Sequence, residues 1–378
     1  MIVATARETA TGETRVAITP ETAKKFAALG AKVRIEAGAG LRAGLPDQAY
    51  ADVGAEIAPD AAAALGGADL VLQVRAPGSS ALRSPAHGAT LVAMLDPFGA
   101  GGAPQACAEA GLDAYAMEFL PRITRAQSMD VLSSQANLAG YRAAIDAAGA
   151  FGRVFPMMMT PAGTVPAARV FVMGVGVAGL QAIATARRLG AIVTATDVRP
   201  ATKEQVESLG AKFVAVEDDE FRQAETAGGY AKEMSDAYKA KQAELVAGHV
   251  AKQDVVITTA LIPGRPAPRL VTAAMVAAMK PGSVLIDLAV ERGGNVEGAK
   301  AGETVTTPNG AIIVGSSAVT SLGGAAAALY ARNLYAFCEP MFDKATKEFK
   351  PDREEEILKA TLVASGGAVV HPRLKPPA

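Results

Sequence analysis

Residues 168–197 read ARVFVMGVGVAGLQAIATARRLGAIVTATD, and the rest of the chain is placed by reference to them. Arg169 to Met173 is a short apolar run with the β-branched and aromatic content of a buried strand. Gly174, Gly176 and Gly179 follow at once, separated by Val175, Val177 and Ala178. A helix-like segment then runs to Leu189, Gly190 closes it, and a second β-rich run ends on Asp197. Strand, Gly-x-Gly-x-x-Gly, helix, strand, acid is the order of a dinucleotide-binding βαβ unit. The glycines have separate tasks. Gly174 permits the tight turn, Gly176 lets the backbone approach a pyrophosphate, and Gly179 lets helix and strand pack closely. Backbone N–H groups at the helix start, around Val177 and Ala178, face the phosphates. Asp197 can accept hydrogen bonds from the adenosine ribose, which favours NAD over NADP. Arg199, beyond Val198, pulls toward a 2′-phosphate or is simply a solvated loop arginine.

The chain has 378 residues, more than one domain usually holds. Half of it is hydrophobic and a fifth charged, a balance suited to packed α/β domains rather than disorder. A formal net charge of −1 leaves no broad basic field for nucleic acid or an anionic membrane. Cys107 and Cys338 stand in unrelated segments, and His87, His249 and His371 form no ligand pattern. We therefore expect neither a disulfide framework nor a metal site, and a reducing compartment. The N-terminus MIVATARE reads as a strand, not as a signal peptide. The longest uncharged stretch, Thr304 to Ala331, is broken by Pro308, Asn309 and several glycines. It reads as strand, loop and helix rather than a membrane span.

In order, strands are expected at Ile2–Ala6, Lys32–Glu36, Leu70–Val74, Thr90–Leu95 and Ala114–Met117, with helices after Thr19-Pro20 and over Pro104–Ala110. The opening region is thus itself a βα alternation, without a glycine fingerprint. The polar stretch 118–140 interrupts it and leads into a helix through Ala150. This stretch is either a plain inter-domain loop or the lining of a ligand cleft. After Asp197 come a helix over Thr202–Leu209, a strand over Lys212–Val216, and a long polar insert before a strand at Asp254–Thr259. Such an insert is uncommon in α/β units and often a lid. Its Gly228-Gly229-Tyr230 is a candidate flap, and Tyr230–Val246 a surface helix. Ala260 and Leu261 lie just past a strand C-terminus, where ligands bind in open α/β sheets. Further strands are expected at Ser283–Leu288 and Ala311–Val314, and a helix at Ser321–Phe337, after which the chain returns to the first domain. The expected architecture is α/β: two Rossmann-like doubly wound parallel-sheet domains joined by long helices. The first comprises 1–133 plus 325–378, the second, NAD(H)-binding domain 134–324.

Several segments together resemble the NAD(H)-binding component of proton-translocating NAD(P) transhydrogenases. They are RVAITPE, PRITRAQSMDVLSSQANLAGYRA, GVGVAGLQAIATA, ATDVRPATKEQVESLGAKF, ETAGGYAKEM, TTALIPGRPAP and MKPGSVLIDLAVERGGN. The resemblance is strong over 112–297 and weaker over 76–110 and after 315. Alanine dehydrogenases share several segments. The resemblance implies direct hydride transfer between NAD(H) here and NADP(H) on a separate component. It further implies membrane-spanning alpha-2 and beta-type subunits that couple the exchange to proton movement, a homodimer, and a peripheral place on the cytoplasmic side of the inner membrane. It places Arg122, Gln127, Asp130 and Ser133 near the nicotinamide. Arg122, Asp130 and Ser133 would fix the carboxamide, and Gln127 would bridge toward the second nucleotide's ribose. Gly229 and Tyr230 fall on the family's mobile loop.

Two other functions compete. An alanine-dehydrogenase-like enzyme needs a lysine and a histidine for its keto acid. Their regions here carry Gln73 and Arg75, and Asp96. Arg15 is kept, either for a substrate or as part of a fold-supporting salt bridge. A non-catalytic NAD(H)-binding regulatory module is the third reading.

Overall fold

The computed structural model describes residues 1–222, 234–262, 264–316 and 319–374. Strands β1 (Ile2–Thr5), β2 (Lys32–Glu36), β3 (Glu56–Ala58), β4 (Leu70–Arg75), β5 (Thr90–Met94) and β6 (Asp113–Ala116) open the chain. A hairpin of β7 (Met158–Thr160) and β8 (Gly163–Val165) follows. Then come β9 (Arg169–Met173), β10 (Ile192–Thr196), β11 (Lys212–Phe213), β12 (Val255–Thr258), β13 (Val284–Asp287), β14 (Thr304–Thr306) and β15 (Ile312–Gly315). The chain closes with β16 (Leu362–Ser365) and β17 (Ala368–Val369).

The chain divides into two compact units, 1–135 with 320–378 and 136–319. The first holds an eight-stranded sheet in the order β17-β16-β6-β5-β4-β1-β2-β3. Its strands are parallel except β16 and β17, which add antiparallel beside β6. The second holds a seven-stranded sheet in the order β11-β10-β9-β12-β13-β15-β14, parallel except for the edge strand β14. In each sheet the order reverses once, between β1 and β4 and between β9 and β12. These are the switch points at which doubly wound sheets open a crevice.

Both sheets are buried on two faces, which explains why their strands are apolar runs rather than alternating ones. In the first, Val3, Leu72, Val92 and Tyr115 join one core with Phe26, Tyr330 and Phe337, while Ala4, Val71 and Leu91 join another with Cys107. In the second, Val170, Val172, Val255 and Ile286 face one core, and Phe171, Val256 and Leu285 the other. Helix starts follow their caps. Thr19 closes a capping box with Thr22 before Pro20–Ala28, and Ser235 caps Asp236–Val250.

Three expectations need correction. The strand expected over 212–216 is only Lys212–Phe213. Val214 N–H still donates to the Ala195 carbonyl, but Val216 N–H turns to the Gln242 side chain, so the ladder ends early. The helix expected from Tyr230 begins at Asp236. The stretch before Arg169, expected to carry no strand, forms the β7–β8 hairpin, with its turn at Thr160-Pro161-Ala162-Gly163. Among the described residues no helix is long and apolar enough to cross a membrane.

Candidate functional site

The second unit's switch point is built as the sequence implies. Gly174 ends β9 with φ +98°, a conformation that disfavours any side chain. Its N–H donates to the Thr196 carbonyl at 2.9 Å, and its own carbonyl accepts from Thr259 Oγ at 3.0 Å. The turn is thus tied to the ends of β10 and β12. Gly176 is the N-cap of helix Val177–Arg188 and offers no capping side chain, so the first-turn N–H groups are left for a ligand. A Cβ on Gly176 would meet nothing within 4 Å, whereas one on Gly179 would lie 1.9 Å from the Gly174 carbonyl oxygen. Open space at the second glycine and a close approach at the third are what a pyrophosphate cradle requires. Gly140, on helix Val131–Ala150, comes as near to the start of the same helix. Its Cβ would be 2.0 Å from the Ala178 carbonyl oxygen.

Asp197 follows β10 with its side chain 7% exposed. Its carboxylate accepts from Val175 N–H at 2.7 Å, from Arg199 N–H and Nε at 2.9 Å each, and from an Arg199 terminal nitrogen at 3.0 Å. Arg199 also donates to the Val175 carbonyl. It is therefore clasped onto Asp197 and the glycine turn, and not a solvated loop arginine. Val177, Val198, Leu261 and Ile262 stand 40–62% exposed just past the ends of β9, β10 and β12. Exposed apolar side chains at that crest supply walls for flat rings. The residues present therefore fit a dinucleotide: a glycine cradle, open helix N–H groups, a carboxylate and apolar walls. Ala260 is half-buried, and its N–H donates to Asn295 Oδ1 at 3.0 Å. Thr259 and Asn295 belong to no motif that sequence reasoning recognises, and the structure adds them to the site. Gly229 and Tyr230 lie outside the described residues.

The other four expected residues belong to the first unit. Arg122 is exposed, and Gln127 is exposed on the turn Thr124–Met129. Asp130 and Ser133 are bonded to each other. The Asp130 carboxylate accepts from Ser133 N–H at 2.9 Å and from Ser133 Oγ at 2.6 Å, the pattern of a helix N-cap before Val131. Asn333 steadies this turn by donating to the Ser128 carbonyl and accepting from Ser134 Oγ.

The switch point of the first unit is filled by the chain itself. Glu8 accepts from Val74 N–H at 2.6 Å and from Arg75 N–H at 3.3 Å, at the end of β4. Glu118 accepts from Leu95 and Asp96 N–H groups past β5. Arg15 forks onto Glu13 at 2.6 and 2.7 Å and donates to Gln135 at 3.1 Å, while Arg75 Nε reaches Glu13 at 3.0 Å. Arg15 is thus a buried structural pair. Burial opposes the charge on Glu13, but Arg15 and Arg75 hold its carboxyl down to about 2. Burial pushes Glu8 up to about 7, helped by nearby Glu13 and opposed by its backbone bonds.

Glu13 therefore contributes stability at neutral pH that is lost as pH falls through about 2. Glu8 favours the folded state below its ordinary value, and this contribution is lost as pH rises through about 7. Glu8→Gln should accordingly gain stability relative to the parent between about pH 5 and about pH 8, on the order of 1–2 kcal/mol. Paired thermal melts at the two pH values measure it. An unchanged difference between them would remove the assignment.

Comparison with known proteins decides the family. The model for the alanine dehydrogenase/PNT N-terminal domain matches residues 4–139, and that for the C-terminal domain matches 143–372. The chain belongs to the alanine dehydrogenase/PNT family. Within this family it is 53% identical to the first of the separate chains of NAD(P) transhydrogenase subunit alpha in Rhodospirillum rubrum, over 99% of both chains. It is 31% identical to the alanine dehydrogenase of Mycobacterium tuberculosis, over 78% of this chain and 73% of that protein. The solved structure of the transhydrogenase from Sinorhizobium meliloti superposes with a TM-score of 0.88 at 55% identity, covering 98% of this chain and 100% of the other.

Proposed function

We propose that this chain is the NAD(H)-binding component of a proton-translocating NAD(P) transhydrogenase. It holds NAD(H) while hydride passes directly to or from NADP(H) on a separate component. The observation that carries the reading is the pairing of a complete dinucleotide cradle in the second unit with a first unit whose crest is occupied by its own carboxylates. Bound NAD(H) supplies or accepts the hydride at its nicotinamide. The chain's own residues bind and orient. The helix Val177–Arg188 offers its first-turn N–H groups to the pyrophosphate, and Asp197 addresses the adenosine ribose. Transfer between two nicotinamides releases no proton, so no general acid or base is required, only aligned rings and exclusion of water. A chain with only three scattered histidines is compatible with that chemistry. We assign Arg122, Asp130 and Ser133 to orientation of the carboxamide and Gln127 to the contact toward the second nucleotide. In the same proposal the chain acts as a homodimer beside membrane-spanning alpha-2 and beta-type subunits, on the cytoplasmic face of the inner membrane.

Amino-acid oxidation is disfavoured by the same crest. The guanidinium groups of Arg15 and Arg75 share Glu13, and Gln73 and Asp96 stand where such an enzyme would need a lysine and a histidine. The purified chain should form no NADH from NAD and L-alanine, and turnover in that assay would displace the proposal. The positive test mixes the chain with a separately purified NADP(H)-binding component, NADPH and an NAD analogue whose reduced form absorbs at its own wavelength. Reduction of the analogue should require both proteins. NADH binding without exchange in the mixture would point to a regulatory nucleotide sensor instead.

A further inference from the structure

Beyond β12 the chain turns along the crevice as Thr259-Ala260-Leu261-Ile262. The wall it makes is fixed by one side chain from a different loop. Asn295 is fully buried, past β13. Its Oδ1 accepts from Ala260 N–H at 3.0 Å, and its Nδ2 donates to the Ala260 carbonyl at 2.9 Å and to the Pro268 carbonyl at 2.8 Å. Both polar groups of residue 260 are thus satisfied by a single amide, as a neighbouring strand would satisfy them. The Asn295 carbonyl accepts from Leu270 and Val271 N–H groups, so the far end of the same connection is stapled to it as well. Asn295 is itself held in place. The buried carboxylate of Asp287 accepts from Ala289 and Val296 N–H groups, which fixes the loop on either side of it. On the other flank, Thr259 Oγ ties the neighbouring residue to the Gly174 carbonyl. Asp287, Asn295, Ala260, Thr259 and Gly174 therefore form one connected rim along the ends of β13, β12 and β9.

We propose that Asn295 is a positioning residue for the nicotinamide half of the bound dinucleotide, acting through Ala260. This rests on the dinucleotide reading of the site and on its geometry. Asp197 lies on the β10 side of the switch point and addresses the adenosine end, and the pyrophosphate lies at the helix start beyond β9. A dinucleotide laid across that crevice places its other half over β12, whose outgoing wall is the segment Asn295 holds. Loss of the amide leaves the Ala260 N–H and two carbonyls without partners and frees the wall to shift. The adenosine half, bound on the far side, does not sense the change.

The test compares two ligands in full-length Asn295→Ala and Asn295→Ser variants. ADP-ribose reports on the adenosine half, and NADH on the whole. Affinity for NADH should fall about tenfold or more, while ADP-ribose binding stays within about twofold of the parent. Equal weakening of both ligands would show a general loosening of the unit and overturn the proposal. So would unchanged NADH affinity in a folded variant, or failure of both variants to fold. If the unmodified chain itself bound neither ligand, the dinucleotide reading would fall instead, and the two failures are thereby kept apart.

Discussion

Gly179→Val should abolish measurable NADH binding and lower the melting temperature together. At this position even a single methyl carbon would sit 1.9 Å from the Gly174 carbonyl oxygen and 2.9 Å from its carbonyl carbon. Both are backbone atoms of the glycine turn, and Thr259 Oγ pins that carbonyl from the opposite side. No rotamer relieves the clash, so the helix Val177–Arg188 must back away from β9. Overpacking against backbone in a buried seam costs about 2–4 kcal/mol. The same displacement takes the first-turn N–H groups out of reach of the pyrophosphate, so affinity should drop about a hundredfold or more. Gly176→Ala provides the contrast. Its Cβ meets no protein atom within 4 Å, and its φ of −82° suits alanine. That variant should melt like the parent yet bind NADH poorly, because the methyl stands where the pyrophosphate approaches. Fluorescence titration with NADH and thermal melts on both variants measure this. A Gly176→Ala protein with normal affinity would show that the pyrophosphate lies elsewhere.

The second large effect concerns rate rather than affinity. Gln127→Ala should slow hydride exchange with the NADP(H)-binding component by about ten- to a hundredfold, because misplacement of two reacting rings by a fraction of an ångström is costly. NADH affinity should remain within about twofold. Gln127 is exposed on the turn Thr124–Met129, whose position depends on Asn333 and the Asp130 cap rather than on residue 127 itself, so the truncation leaves the scaffold intact. Single-turnover exchange and equilibrium binding separate the two quantities. Normal transfer with lost affinity would place Gln127 in nucleotide binding and end this assignment.

What is legible in the sequence and what is not divide along a physical line. The unit from β9 to Asp197 is legible because its logic is local: strand, glycine turn, helix and acid meet neighbours close in sequence. The two-sided burial of β9, β12 and β13 is legible from their unbroken apolar runs. The rim is not legible, since Asn295 meets Ala260 across 35 positions and an asparagine after two glycines looks like an ordinary turn. Glu8 is equally opaque, for its partners are backbone N–H groups 66 and 67 positions away, which carry no residue identity. Arg199 shows its region in the sequence but not its company. A charge two residues past the strand can face solvent or fold back, and only the geometry of the turn chooses. The short β11 belongs to the same class, because the competitor for Val216 is a side chain from a distant helix.

The clasp between Arg199 and Asp197 has an energetic consequence. The carboxylate already accepts four hydrogen bonds, all a carboxylate can comfortably hold. A ribose that reaches it therefore arrives by exchange, trading one satisfied arrangement for another of similar worth. Such a swap contributes little net grip, but it still penalises a phosphate brought against the acid. The adenosine end of this site works as an address that rejects the wrong nucleotide, and the grip that retains the right one comes from the phosphates and the rings.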